Sequence, residues 1–308
     1  MTASLRRWLL AACLVLLTQT AGHAQQAPAP QSAEARQQEL IAAGAAAERA
    51  GTNGPADIPL LDQAVLHLPE SMLFVPPNEA SRLLRAWGNW VPTAPVGLVL
   101  GTARNDDWVV VIRFVKEGYI KDDDAKDWKA DELLTSIREG AEESNKDRVA
   151  RGFEEMEVIG WIAPPKYDPA THRLVWSLAQ KRKGQPDGGV QAVNYNTYAL
   201  GRDGYFSLAL LTDSKRIATE RQVAGALLAG LSYLDGKRYE DFNASTDHIA
   251  EYGLAALVGV VAAKKLGLLA LAGVFVLKFA KIGAVLLAGA GLALRKIFRG
   301  RRNTGGDA

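Results

Sequence analysis

The sequence predicts an α+β fold, a mainly antiparallel sheet flanked by helices, plus a C-terminal transmembrane helix. Three observations carry this. From residue 60 to about 211 short alternating apolar runs are separated by turn residues, as in strands joined by short connections. Only three stretches of the domain have the period of an amphipathic helix, too few for the strand-helix alternation of a parallel sheet. Positions 262–289 read AAKKLGLLALAGVFVLKFAKIGAVLLAG, long and apolar enough to cross a bilayer.

The N-terminus sets the compartment. Arg6 and Arg7 precede an apolar run over 8–17, then Gly22-His23-Ala24. A basic start, a short apolar stretch and small residues at a cleavage site are the parts of a secretory signal peptide, so residues 1–24 are read as one, cut after Ala24. Leu10-Ala11-Ala12-Cys13 matches a lipobox by letter, but cleavage there would halve the apolar run. Loss of 1–24 removes the one cysteine, Cys13. The mature chain is then without disulfides, thiolate metal sites or cysteine nucleophiles.

Residues 25–59, rich in Ala, Gln and Pro, read as a linker with a helix candidate over 34–50. The domain proper is expected over 60–243. Strands are predicted at 64–68 and 72–75, joined through Pro69-Glu70-Ser71. Asn78 then caps a helix that carries Leu83, Leu84 and Trp87 and stops at Gly88. Residues 96–100 and 108–114 are β-rich and flank a turn at Asn105-Asp106-Asp107. The mixed-charge stretch 128–151 is helical by pattern, with Leu134, Ile137 and Ala141 on one face. Strands follow at 156–163, 173–179, 190–200 and 205–211. A last amphipathic helix starts near Ser214 and presents Val223, Leu227 and Leu231. Residues 244–263 are expected to form a connecting helix. This order is similar to the Mog1/PsbP-like sandwich, an analogy of fold that assigns no function.

Charge separates the domain from its tail. Residues 25–250 hold 25 Lys or Arg against 32 Asp or Glu, hence −7, while 252–308 hold 9 basic residues against Asp307, hence +8. A nucleic-acid binder carries its basic surface on the domain, so none is expected as partner. A basic flank beside an apolar run is instead the signature of a cytoplasmic end. The expectation is a single crossing over 264–294 and a basic cytoplasmic tail over 295–308, beginning Arg295, Lys296. The domain then lies in the periplasm and the chain is anchored in the inner membrane.

The lysines in the run need an account. A central Lys costs about +2.5 to +3.5 kcal/mol on insertion scales, while each Leu, Ile, Val or Phe returns only about −0.3 to −0.6. A window over 262–281 puts Lys264, Lys265, Lys278 and Lys281 near its ends, where they snorkel to the headgroups as anchors. The sharper reading is an intramembrane charge facing a partner helix.

Reactive constellations are sparse. After Ala24 the histidines are His67, His172 and His248, without metal-ligand spacing, and no P-loop, G-x-S-x-G or GxGxxG stands in a strand-turn-helix setting. No metal and no cofactor is expected. The acidic run 121–127 lacks the Gly and Glu of a calcium loop and reads as a solvated loop. The most site-like stretch is Pro164-Pro165-Lys166-Tyr167-Asp168-Pro169-Ala170-Thr171-His172. If the next strand alternates, His172 shares a face with Leu174, Trp176 and Leu178, and with Asp168 it forms a candidate ligand or acid-base site. The alternative is a hairpin turn made by Asp168-Pro169. Asn194 and Asn196 share a face of a later strand, as a structural network or as a polar pocket floor. Together His172, Asp168, Trp176, Asn194 and Asn196 are the candidate ligand or partner site.

The pieces GWIAPPKYDPATHRLVW, VNYNTYALGRDGYFSLALL, GKRYEDFNASTDHIAEYGLAALVG and the lysine-rich apolar tail resemble the bacterial membrane-anchored family catalogued as domain of unknown function 2167. The resemblance covers about residues 60–300 and implies a Gram-negative cell-envelope protein with a C-terminal anchor. The functional expectation is a non-enzymatic periplasmic adaptor, with the lipid bilayer and an envelope protein or a second copy as partners. The alternative is a small-ligand-binding or hydrolytic domain around His172 and Asp168.

Overall fold

The computed structural model describes residues 33–258, apart from 88, 90, 104, 105, 127, 151–153 and 187. The predicted signal peptide, transmembrane segment and basic tail lie outside the described residues. The chain divides into two compact units, Met1–Gln37 and Gln38–Ala308. Of the first, the described part is the exposed opening turn of a helix.

The elements, in chain order, are α1 (Ala33–Ala50), β1 (Thr52–Asn53), β2 (Ala56–Leu60), β3 (Ala64–Leu68), β4 (Met72–Val75), α2 (Pro77–Ala86), β5 (Gly97–Gly101), β6 (Val109–Val115), α3 (Ala130–Ala150), β7 (Met156–Asp168), β8 (Arg173–Arg182), β9 (Ala192–Leu200), β10 (Tyr205–Asp213), α4 (Ile217–Ala229) and β11 (Leu231–Tyr233). Short 3-10 turns lie at Asp123–Lys126, Tyr239–Asp241 and Leu254–Leu257. Eight strands form one sheet in the order β1-β4-β5-β6-β10-β9-β8-β7, and three form a second in the order β11-β3-β2. The pairings are antiparallel, so the α+β expectation holds.

Alternation along the strands divides the core. Val110 and Ile112 of β6, Phe206, Leu208 and Leu210 of β10, and Val193 and Ala199 of β9 point to one face, where the three-stranded sheet and α4 cover them. The opposite face carries two clusters. Leu73, Val75, Leu98, Val111 and Leu211 meet α1 and α2 at one end, and Leu174, Trp176, Leu178, Tyr198 and Tyr205 meet α3 at the other.

Several elements depart from expectation. Residues 52–53 and 56–59, expected in the linker, belong to strands β1 and β2, whose Ile58 and Leu60 enter the core. Helix α2 begins at Pro77 with Pro76 as its cap, not at Asn78, because proline's fixed φ suits the first helical position. Leu231 belongs to β11, not to the preceding helix. Strand β7 runs on through Pro164 and Pro165. It is an edge strand with three register shifts, the setting in which a strand tolerates proline. The described part of the expected connecting helix over 244–263 is turns and one 3-10 turn. No described helix is long and apolar enough to cross a membrane.

Candidate functional site

Strands β7 and β8 pair Asp168 with Arg173, closing a hairpin around residues 169–172. Asp168 builds that turn. Its Oδ1 accepts the Ala170 N–H at 3.0 Å and its Oδ2 the Thr171 hydroxyl at 2.8 Å. The Thr171 hydroxyl, followed by the Ala170 N–H, lowers the Asp168 pKa, which keeps it an ionised turn residue. His172 completes the turn at φ 52°, a left-handed conformation in which His is several-fold enriched.

His172 meets a different carboxylate. Tyr167 donates to Asp122 Oδ2 at 2.6 Å, and its oxygen lies 3.1 Å from His172 Nδ1. Tyr has one proton to give, so with that proton on Asp122 the phenol oxygen accepts from Nδ1–H. Asp122 itself is 3.9 Å from Nδ1. Burial, and then Asp122, push the Tyr167 pKa up, so this phenol is a donor and not a base. The imidazole lies flat on Tyr239, ring centres 4.1 Å apart. Among the described residues the hydroxyl hydrogen-bonded to His172 is that of Tyr167. The described residues do not bring together three groups able to hold a metal.

What His172 and Asp124 touch is the chain leaving the domain. Residues 236–258 form a strap across the ends of β6 and β10. Tyr239 buries its ring and donates to the Ile120 carbonyl at 2.7 Å. Tyr119 is stacked between Tyr239 and Phe242, at 4.3 and 3.9 Å, and exchanges backbone hydrogen bonds with His248 and Ala250. Arg202 grips Asp247 through two hydrogen bonds of 2.6 and 2.7 Å, and its guanidinium holds that carboxyl well below the usual carboxylate range. Asp124 accepts the N–H groups of Leu254 and Ala255 at 3.1 and 3.0 Å. The acidic run read as a solvated loop is therefore the strap's dock. Sequence reasoning missed Asp122 and Asp124 because their partners lie 45 and 130 residues away.

Trp176, Asn194 and Asn196 form a separate group. Trp176 sits opposite Asn196, and Leu178 opposite Asn194. All three polar residues are buried, Trp176 between Trp161 and Tyr198. Ser177 donates to the Asn194 carbonyl at 2.8 Å, and the Asn196 amide reaches the same oxygen only at 3.5 Å. Within the described residues none of the contacts above joins this group to His172 or Asp168. The five sequence candidates are thus a turn residue, a strap contact and an amide group within the sheet.

The family described as Protein of unknown function (DUF2167) matches residues 52–291, and the chain belongs to it. Among curated proteins nothing matches. Among solved structures the chain is similar to the cyanobacterial PsbP (CyanoP) of Synechocystis sp. PCC 6803, at 10% identity and TM-score 0.33, over 60% of this chain and 91% of that one.

Proposed function

We propose that this DUF2167 protein is an exported interaction domain, anchored in the inner membrane by its C-terminal apolar run, that binds another component of the cell envelope. One observation carries the reading. The strap that leads to the run is held along its length, by Arg202 on Asp247, His172 on Tyr239, and Asp124 on Leu254 and Ala255. A segment so fastened passes an anchor's constraint directly to the sheet, which an adaptor held at a surface requires. The family match, which runs past the strap to residue 291, also supports treating domain and run as one unit. The commitment of Asp168 to its turn and of His172 to Tyr167 and Tyr239 weighs against hydrolysis at that site.

The periplasmic placement rests on the predicted signal peptide, and the single crossing on the basic residues after Leu294. In-cell crosslinking of the full-length protein, with mass spectrometry of what is captured, tests the partner. The expected result is one discrete envelope protein, lost when residues 259–308 are deleted. Capture of no envelope protein by the folded, membrane-inserted chain would contradict the adaptor reading.

A further inference from the structure

Three of the seven large hydrophobic side chains exposed among the described residues, Leu61, Leu234 and Ile249, stand at one end of the domain. Leu61 lies in the turn between β2 and β3, and the Leu234 N–H donates to the Gln63 carbonyl of the same turn at 2.9 Å. Lys237 links that turn to the β9–β10 turn, its Nζ 3.7 Å from Asp62 and 3.2 Å from Asp203. The Asp203 carbonyl accepts the Gly118 N–H, and Tyr119 bonds both neighbours of Ile249, at His248 and Ala250. The three side chains thus share the surface made by these turns and the strap.

Leu61 is the least expected of them. It is 57% exposed and stands at φ 57°, in the left-handed region, where a bulky residue is an outlier. Strain of this kind gathers at functional surfaces. The charges beside the leucines are paired, Lys237 with Asp62 and Asp203, and Arg238 with Asp235, so apolar contact is what this surface offers.

The chain leaves the domain from the same end. Leu254 donates its N–H to the Lys121 carbonyl at 3.2 Å, and Val258 follows within one 3-10 turn. The apolar run begins at Ala262, and the four-residue step from Val258 reaches at most about 14 Å. A bilayer that takes the run is therefore held close to this end of the domain.

We propose that Leu61, Leu234 and Ile249 form a membrane-facing patch, which enters the headgroup boundary of the bilayer that holds the C-terminal run. The proposal rests on the anchored reading above and adds which end of the domain meets lipid. Apolar side chains on an otherwise polar surface bury in that boundary, and three points of contact set the tilt of the domain on its anchor.

The test places single cysteines in a Cys13→Ala background, labels them with the environment-sensitive fluorophore NBD, and reconstitutes the full-length chain in phosphatidylcholine vesicles. A second set of vesicles contains lipid with a nitroxide quencher near the headgroup. Leu61→Cys, Leu234→Cys and Ile249→Cys report the patch, and Phe275→Cys reports the run. Val190→Cys is the control, 52% exposed but at the opposite end of β9. The nitroxide is expected to quench the labels at 61, 234 and 249 several-fold more than the label at 190. Quenching at 61, 234 and 249 no greater than at 190, with the label at 275 blue-shifted in lipid, would overturn the patch and leave the anchor standing. A label at 61 that is blue-shifted but unquenched would mean that protein, a second copy or a partner, covers the patch, and would overturn it equally. No blue shift at 275 would overturn the anchor, and this inference with it.

Discussion

Arg202 and Asp247, 45 residues apart in sequence, meet side-on, Nε to Oδ2 at 2.6 Å and Nη2 to Oδ1 at 2.7 Å. Asp247 also accepts the Asn243 N–H at 2.8 Å, so one carboxylate closes the loop of the strap and ties it to the β9–β10 turn.

That carboxylate makes the strap acid-sensitive. Its folded pKa is depressed, chiefly by Arg202, so its contribution is present above the ordinary aspartate value of about 3.9 and is lost as pH falls through the folded one. Hydrogen-exchange protection over 243–250 is expected to hold at neutral pH and drop in strong acid. In Asp247→Asn protection should be low already at pH 7 and nearly flat with pH.

Gly118 lets the strap approach. It stands at φ 90°, and a Cβ there would lie 2.6 Å from the His248 carbonyl oxygen. Gly118→Ala is expected to cost about 1–3 kcal/mol, from the left-handed backbone and the displaced carbonyl together, and to open the strap to limited proteolysis. Gly225 in α4 has nothing within 4 Å of its added Cβ, so Gly225→Ala should be neutral or stabilise by up to about 1 kcal/mol. Denaturant melts of the two variants check the contrast.

All eight tyrosines have raised pKa values, in each case first through burial; Tyr252 is pushed up to about 12. A raised folded pKa contributes stability that is complete below the unfolded value, about 10, and lost as pH rises toward the folded one. Absorbance at the tyrosinate band should therefore stay flat through pH 10, then rise in one step together with loss of far-UV dichroism. Gradual ionisation near pH 10 in a folded protein would contradict the burial described.

Asn145 binds α3 to the edge of the sheet. Its amide donates to the Met156 carbonyl at 2.9 Å and its oxygen accepts the Met156 N–H at 2.8 Å, as a neighbouring strand would. Asn145→Ala leaves two buried backbone groups unmatched and is expected to destabilise by about 2–4 kcal/mol. Fluorescence of Trp161, whose Nε1 donates to the carbonyl of Ala130 at the start of the same helix at 3.2 Å, should report the loosened helix.

The fold was legible wherever alternation and turn chemistry agreed. Strands β3 and β4 follow from apolar alternation on either side of Pro69-Glu70-Ser71, and β10 from the run that opens after Gly204. Strand β2 was not legible, because its Pro59 and the Ala-rich approach read as linker; it is a strand because it lies at the edge of its sheet. The extension of β7 through two prolines was hidden for the same reason. Of the candidate site, His172 was visible as a residue, but the role of the acidic run was not. Local pattern sees neighbours three or four positions away, whereas Asp122, Asp124 and Asp247 act on partners 45 or 130 positions distant.

The central claim is a tethered domain on one side of a membrane with its basic tail on the other. Alkaline phosphatase, which folds only in the oxidising periplasm, is to be fused after Asn243 and, in a second chain, after Ala308. The account predicts an active enzyme in the first fusion and an inactive one in the second. Activity in both would put the tail outside and contradict the single crossing, and activity in neither would contradict export.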